Sequence, residues 1–244
     1  MRILGERMDK PLLELDNVST GYGIIPVLHG INLSVGKGDI YALLGPNGGG
    51  KSTILKVCSR QIHPWAGSVK VAGRSIDGIA AEDLAKAGVC TIPEGKGIFP
   101  NLTVDENLIM MTHASQSLDA IQSVTFERFP QLVNKRKQLA GTLSGGEQQM
   151  LSMARALSTN PKLLLLDELS MGLAPIIVKD LYGLVSQLAE EGIGVLVVEQ
   201  FARTVLGVAT RAGILINGKI ISEGSPTELE DKLSDAYLGT KGNI

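Results

Sequence analysis

The sequence has no long apolar run. No stretch approaches the roughly 18 consecutive apolar residues that a membrane-spanning helix needs. Residues 1–7, MRILGER, also lack the long apolar core of a secretion signal. We therefore expect the chain to stay in the cytoplasm. If it acts at a membrane, other subunits would have to supply the membrane-spanning helices.

Cysteine is scarce and neither sign of charge is in excess. The 244 residues include 23 basic and 25 acidic side chains, a formal net charge of −2, so the overall balance does not indicate nucleic acid as a partner. The two cysteines, Cys58 and Cys90, lie in apolar surroundings without C-x-x-C spacing, which favours buried free thiols in a reducing compartment. There is no internal repeat and no low-complexity tract.

A glycine-rich segment, GPNGGGKST at residues 45–53, lies between two apolar stretches. The preceding stretch, Ile40–Leu44, is typical of a buried strand, and residues 54–57 are typical of a helix. Glycines let successive N–H groups point at an anion, and a helix N-terminus adds partial positive charge. In this strand–turn–helix context the pattern G-x-x-x-x-G-K-[ST], the P-loop, predicts phosphate binding, although an ordinary glycine-rich turn is the alternative.

The nine residues of this segment have predicted roles at a nucleotide. Lys51 would reach the β- and γ-phosphates, and the Ser52 hydroxyl would hold Mg²⁺. The predicted phosphate-binding residues are Gly45, Pro46, Asn47, Gly48, Gly49, Gly50, Lys51, Ser52 and Thr53.

A second segment places two acids at the end of an apolar run. Residues 162–166, KLLLL, indicate a fully buried parallel strand, and Asp167 and Glu168 follow it directly. Ligands of open α/β sheets bind at the carboxyl ends of the strands. We predict that Asp167 holds Mg²⁺, directly or through water, and that Glu168 orients or deprotonates the attacking water. The alternative is a buried strand with two solvated acids at its exit.

A third segment, LSGGE at residues 143–147, opens a helix whose apolar residues continue to Leu157. Ser144 is placed to cap this helix, and Gly145 and Gly146 would leave its first N–H groups open to an anion. Because Ser144 and Glu147 stand in the S-x-x-E relation, a plain capping box is the alternative.

In this order, the three segments resemble those of the ATP-binding subunits of ABC transporters, and LSGGE matches the signature motif of that family. The resemblance covers residues from about 12 to about 239. It implies an α/β fold with a P-loop nucleotide-hydrolase core, an antiparallel β layer and an inserted helical subdomain. A single ABC ATPase domain, 1–244, would have its core at about 12–97 and 144–239, and its helical subdomain at about 98–143.

Hydrophobic periodicity agrees with this organisation. The segments 12–18 and 31–35 alternate as edge strands of an antiparallel layer would, and the chain from 99 to 143 has no convincing strand. Further predicted elements are strands at 67–73, 88–92 and 194–199, helices at 105–111, 118–129 and 176–190, and a hairpin at 212–222 with a type I′ turn at Asn217-Gly218.

The resemblance also implies binding residues outside the P-loop. In this family an aromatic residue near the position of Tyr22 stacks on the adenine, and the alternative is a surface tyrosine in a hairpin. Two such subunits pair head to tail, so that Ser144, Gly145, Gly146 and Glu147 of one would close over the ATP on the P-loop of the other.

At three places the sequence differs from the common pattern of the family, and the differences indicate a particular subfamily. Glu94 stands where a glutamine usually senses Mg²⁺ and the γ-phosphate, Gln200 replaces the switch histidine, and the loop at 170–175 lacks an aspartate. Together they resemble the second ATPase subunit of branched-chain amino-acid importers. Gly49, in place of alanine, and Leu169, in place of proline, depart even from that subfamily.

The resemblance implies an ATP- and Mg²⁺-dependent ATPase that powers amino-acid import, with Lys51, Glu168 and Gln200 as catalytic residues and Ser52, Glu94 and Asp167 at the metal. Its implied partners are a second ATPase subunit, identical or different, two membrane-spanning permease subunits and, indirectly, an extracytoplasmic solute-binding protein. A slow or regulatory ATPase, and import of an amide or urea, stay open. ABC ATPases of DNA or the ribosome carry coiled-coil insertions or two ATPase domains, which this chain lacks.

Overall fold

The computed structural model describes residues 10–95, 97–112, 116–200 and 202–230. The expectations for residues 1–7 and for the end of the core at 231–239 lie outside the described residues. The described strands are β1 (Leu13–Tyr22), β2 (Ile25–Val35), β3 (Ile40–Leu44), β4 (Ala66–Val71), β5 (Arg74–Ser75), β6 (Val89–Ile92), β7 (Leu163–Asp167), β8 (Gly194–Glu199), β9 (Arg211–Ile216) and β10 (Lys219–Gly224). The described helices are α1 (Lys51–Cys58), α2 (Ala81–Lys86), α3 (Val104–Ile109), α4 (Leu118–Arg128), α5 (Gly145–Leu157), α6 (Pro175–Glu190) and α7 (Ala202–Leu206).

A six-stranded sheet of order β10-β9-β3-β8-β7-β6 forms the centre of the fold. All its neighbouring pairs are parallel except the β9–β10 hairpin. Asn217 and Gly218 have φ of 47° and 72°, so the hairpin turns with two residues in the left-handed region, as a type I′ turn requires. Because β3, β6, β7 and β8 are parallel neighbours, the loops that follow them meet at one edge of the sheet.

The central sheet separates two apolar cores. Along β7, Leu164 and Leu166 pack with the core that includes α5 and α6, whereas Leu163 and Leu165 pack with the core that includes α1, β1 and β2. Burial on both faces explains why this strand is a continuous apolar run without alternation.

A second, antiparallel sheet has the order β2-β1-β4-β5. The antiparallel layer is therefore present, but the prediction that residues 12–18 form an edge strand is wrong, because β1 pairs with β2 on one side and β4 on the other. The alternation of apolar and polar residues along β1 shows only that one face of the strand is buried in the core and the other is less buried. An internal strand of an antiparallel sheet can have two such faces as well.

Helices and turns occupy the described residues between Ile98 and Leu143. Here α3 and α4 are followed by 3₁₀ turns at Pro130–Lys135 and Ala140–Thr142, and the only β pairing described in this range is an isolated bridge between Thr103 and Leu139. A capping box between Thr103 and Glu106 starts α3. Within the described ranges, no helix is long and apolar enough to span a bilayer.

Both cysteines are free thiols. Cys58 is buried on α1, as expected, whereas Cys90 on β6 is only partly buried. Burial raises the pKa of both thiols, with Thr159 and Arg155 opposing the shift at Cys90.

Candidate functional site

The P-loop residues form the turn between β3 and α1. Gly48 and Gly50 have φ of 78° and 104°, in the left-handed region that favours glycine, and a Cβ on Gly50 would lie 2.8 Å from Leu28 Cδ2. Lys51 is the first residue of α1, and the first turn of this helix contains no acid. The loop therefore ends at a helix N-terminus whose partial positive charge no acid in the first turn offsets, and such a site suits an anion.

The Lys51 side chain is held against the P-loop itself. Its Nζ donates hydrogen bonds to the carbonyl oxygens of Gly45, at 3.0 Å, and Pro46, at 3.2 Å. The same Nζ lies 3.3 Å from Glu168 Oε1, and the Lys51 and Glu168 side chains are only 4% and 10% exposed. The two segments that the sequence predicts to meet at phosphate are thus in contact across the sheet edge.

Ser52 and Asp167 are also paired. Ser52 Oγ donates a hydrogen bond to Asp167 Oδ1 at 3.1 Å. Burial raises the pKa of the Asp167 carboxyl, the negative charges of Glu168 and Glu94 raise it further, and the Ser52 hydrogen bond and Lys51 oppose the shift. A positive ion placed here would offset this repulsion between carboxylates.

The donor set suits a magnesium ion that is shared with a phosphate group. In the part of the chain that the structure describes, no three or more His, Cys, Asp or Glu side chains are grouped so that they alone could hold a metal ion. Hydroxyl and carboxylate oxygens from Ser52 and Asp167 are nevertheless adjacent, and Mg²⁺ commonly takes one or two protein oxygens and completes its shell with water and phosphate. Glu94 is exposed and lines the same open cleft as Ser52.

An open cleft of about 440 Å³, the Lys51 cleft, is lined by nine of the eighteen predicted site residues. Val27 and Met171 also line it and were not identified from the sequence, because an apolar residue in a strand or loop has no phosphate-binding signature. The residues lining the cleft are Tyr22, Val27, Asn47, Gly48, Gly50, Lys51, Ser52, Thr53, Glu94, Glu168 and Met171.

Tyr22 ends β1 at the rim of this cleft, with its side chain 45% exposed. Its hydroxyl lies 3.4 Å from Thr53 Oγ1 and accepts a hydrogen bond from Lys56 Nζ at 3.3 Å. Lys56 Nζ is also 5.5 Å from the ring centroid, a cation–π distance. The ring is thus oriented by α1 next to the P-loop.

Glu168 has a strained backbone. Its φ is 47°, in the left-handed region that a non-glycine residue rarely adopts, and its N–H donates to the carbonyl of Val198 at 3.0 Å. Leu169 follows with a side chain only 2% exposed, so it anchors the loop in the core. Gln200 directly follows β8 at the same sheet edge and is partly buried.

The LSGGE segment forms a true capping box. Ser144 Oγ accepts from Glu147 N–H at 3.4 Å, and Glu147 Oε2 accepts from Ser144 N–H at 3.0 Å. None of residues 144–147 is among the described residues that line the Lys51 cleft. Gly145 instead lines an adjoining cleft of about 380 Å³ together with Glu94 and Glu168, so within one chain this segment does not surround the P-loop.

Comparison with known proteins identifies the family. The sequence pattern of the ABC transporter family matches residues 28–170. The chain is 42% identical over 232 residues to the high-affinity branched-chain amino acid transport ATP-binding protein BraG of Pseudomonas aeruginosa, covering 93% of this chain and 100% of that protein.

Solved structures with a similar fold include ATP-binding cassettes. An ATP-binding cassette of an ABC transporter in its ADP conformation superposes with a TM-score of 0.84 at 27% identity, covering 94% of this chain and 99% of that one. A dimeric ATP-binding cassette in a post-hydrolysis state, bound to ADP and Pi, has a TM-score of 0.77 at 25% identity, covering 88% and 98%. The predicted α/β P-loop fold is confirmed, and the chain belongs to the ABC transporter family.

Proposed function

We propose that the chain is the ATP-binding and ATP-hydrolysing subunit that powers import of amino acids, branched-chain amino acids in particular, through a membrane ABC transporter. The observation on which the ATPase role depends is the contact between the P-loop and the acids that follow β7, through Lys51–Glu168 and Ser52–Asp167. The substrate class depends on the 42% identity to a branched-chain amino acid transport protein over nearly the whole chain.

ATP would exchange the present contacts of Lys51 for contacts with its phosphates. The two carbonyl bonds and the Glu168 pair hold the ammonium at the mouth of an anion-binding helix N-terminus. Phosphate oxygens are stronger acceptors for a charged donor than neutral carbonyls. We assign the adenine to Tyr22, and the phosphates to residues 45–53.

Ser52 and Asp167, with Glu94 nearby, would hold Mg²⁺, which neutralises charge on the phosphates during phosphoryl transfer. Because the carboxylates of Glu94 and Glu168 are close enough to Asp167 to repel it, we expect nucleotide affinity to depend strongly on the metal. Glu168 would orient or deprotonate the attacking water, and the Gln200 amide would donate a hydrogen bond to the γ-phosphate. Since an amide does not titrate near neutral pH, hydrolysis should show no activity limb from a switch histidine.

A second ATPase subunit would complete the pocket with its own Ser144–Glu147 capping box. This arrangement is supported by the position of residues 144–147 outside the Lys51 cleft and by the similarity to a dimeric cassette. The second subunit is a copy of this chain or a different one. The assembly would include two permease subunits and act indirectly with a solute-binding protein, with this chain peripheral at the cytoplasmic face of the membrane and no nucleic acid involved.

The proposed domain organisation is one ABC ATPase domain, with the core at about 12–97 and 144–239 and the helical subdomain at about 98–143. Replacement of the switch histidine by Gln200 supports a second candidate, a slow or regulatory ATPase partner, and import of a related amide or urea is a variant of the first. Phosphate release by the chain assembled with its membrane subunits distinguishes a fast motor from a slow partner.

The decisive variant is Glu168→Gln, which removes the base but keeps an acceptor for Lys51. We expect turnover to fall by about 100-fold or more, while ATP stays bound. Glu190→Gln, an exposed acid at the end of α6, is the matched control and should hydrolyse normally. Lys51→Ala should weaken nucleotide binding itself. Hydrolysis by Glu168→Gln at the wild-type rate would overturn the assignment.

A further inference from the structure

A buried carboxylate at the end of β8 has no part in the hydrolysis described above. Glu199 is only 1% exposed, and it does not line the Lys51 cleft. Burying a carboxylate is costly unless it is hydrogen-bonded. Its partners therefore indicate what the residue is for.

The Glu199 carboxylate accepts three hydrogen bonds from two residues. Oε1 accepts from the backbone N–H of Ser170, at 2.9 Å, and from the hydroxyl of Tyr182, at 2.6 Å. Oε2 accepts from Ser170 Oγ at 2.9 Å. Both oxygens are thus directed at Ser170, which lies two residues after Glu168, and Tyr182 on α6 supports the carboxylate from the other side.

These bonds hold the turn that contains the strained Glu168 backbone. A left-handed non-glycine residue costs about 1–3 kcal/mol and persists only where its surroundings fix it. Glu168 is fixed on one side by the bond from its N–H to Val198 O, and on the other by the burial of Leu169 and the two bonds from Ser170 to Glu199.

The backbone of Glu199 contacts the P-loop as well. Its carbonyl oxygen accepts a hydrogen bond from Gly45 N–H at 3.3 Å, and Gln200 follows it in the chain. One residue therefore joins the start of the P-loop, the turn after β7 and the segment after β8, and these are the three loops that carry Lys51, Glu168 and Gln200.

We propose that Glu199 is a positioning residue, whose carboxylate holds the 168–170 turn so that the Glu168 side chain faces Lys51 and the phosphate cleft. The inference rests on the proposed role of Glu168 in hydrolysis. Because Glu199 does not line the cleft, its removal should lower the rate of hydrolysis and leave nucleotide affinity nearly unchanged.

Three substitutions separate positioning from general stability. Glu199→Leu removes all three bonds. Glu199→Gln keeps an acceptor for Ser170 N–H and Tyr182, and its amide can donate to Ser170 Oγ, because a hydroxyl accepts as well as donates. Tyr182→Phe removes one bond to the same carboxylate but leaves both bonds to Ser170.

The experiment measures kcat and KM for Mg-ATP with the full chain, together with equilibrium ATP binding. Glu199→Leu should lower kcat by about 10- to 100-fold, the scale expected for a displaced catalytic group, with KM and ATP affinity within about twofold. Glu199→Gln should recover most of kcat, and Tyr182→Phe should retain it. A wild-type kcat for Glu199→Leu, a change confined to KM, or an equal loss of kcat in Tyr182→Phe would overturn the proposal.

If Glu199→Leu fails to fold, Ser170→Ala replaces it, since this variant removes only the bond to Oε2. Ser170→Ala should then lower kcat several-fold while Tyr182→Phe does not, and equal rates would refute the inference.

Glu168→Gln is measured in the same series. Normal hydrolysis by Glu168→Gln means that the proposed function has failed, whereas an inactive Glu168→Gln beside a fully active Glu199→Leu means that only the role of Glu199 has failed.

Discussion

The ion pair between Lys51 and Glu168 should be measurable in the protein without nucleotide. Lys51→Met removes the ammonium, leaving a largely buried Glu168 carboxylate without its counter-charge and the carbonyls of Gly45 and Pro46 without their donor. Breaking a buried pair from one side costs about 3–5 kcal/mol. Because Glu168 borders an open cleft that admits water, we expect a smaller loss, about 2–3 kcal/mol, at or below the lower end of that range.

This loss corresponds to a fall in Tm of about 5–10 °C, since 1 kcal/mol shifts the Tm of a domain of this size by about 2–4 °C. A double-mutant cycle with Glu168→Gln isolates the charge–charge part of the pair, because the glutamine amide keeps an acceptor for Lys51 and the unpaired carbonyls are common to Lys51→Met and the double variant and cancel. The expected coupling free energy, from urea unfolding followed by circular dichroism, is about 1–2 kcal/mol.

The double-mutant cycle has two informative outcomes. A coupling free energy of this size means that the lysine of the P-loop and the acid after β7 interact in the nucleotide-free protein. A coupling below about 0.3 kcal/mol, the level at which independent sites add, would refute the contact on which the site is built.

Three further predictions concern the loops around the cleft. Leu169→Ala should lower the free energy of unfolding by about 3–5 kcal/mol because it empties a buried site, whereas Leu139→Ala, at a 47% exposed position, should change it by less than about 0.5 kcal/mol in the same urea titration. Glu94→Gln removes a negative charge from the cleft, so ATP binding without Mg²⁺ should tighten several-fold in calorimetry, and an unchanged affinity would contradict the repulsion. Burial raises the pKa of the Glu199 carboxyl, so the folded state loses stability as that group ionises with rising pH; the stability of Glu199→Gln relative to wild type should therefore increase from about pH 4 to about pH 7, and a constant difference would be inconsistent with the shift.

The sequence contains enough information to predict which elements meet at the site. Apolar runs that end in GPNGGGKST and in Asp167-Glu168 are buried parallel strands, and the carboxyl ends of parallel strands share one sheet edge, so Lys51 and Glu168 could be expected at the same edge. That only β8 separates β3 from β7 was not visible in the sequence. The hairpin turn at Asn217-Gly218 was predictable for a local reason, since both residues tolerate a positive φ.

Other features depend on contacts between segments that are distant in the chain. The acid that ends the apolar strand Gly194–Glu199 was visible, but nothing in the sequence indicated that Ser170 and Tyr182 would surround it. β1 lies inside its sheet because it also pairs with β4, and the alternation of apolar and polar residues does not predict that pairing. Short helices such as Ala81–Lys86 are too brief to show a clear period.

The central claim is that one triphosphate is bound jointly by the P-loop and the acids after β7. A crystal structure of Glu168→Gln grown with Mg²⁺ and ATP tests it most directly. We predict that Lys51 Nζ will have left the carbonyls of Gly45 and Pro46 for phosphate oxygens, with Ser52 and Asp167 beside the metal. A triphosphate bound elsewhere, or a Lys51 still bonded to those carbonyls beneath bound ATP, would contradict the account.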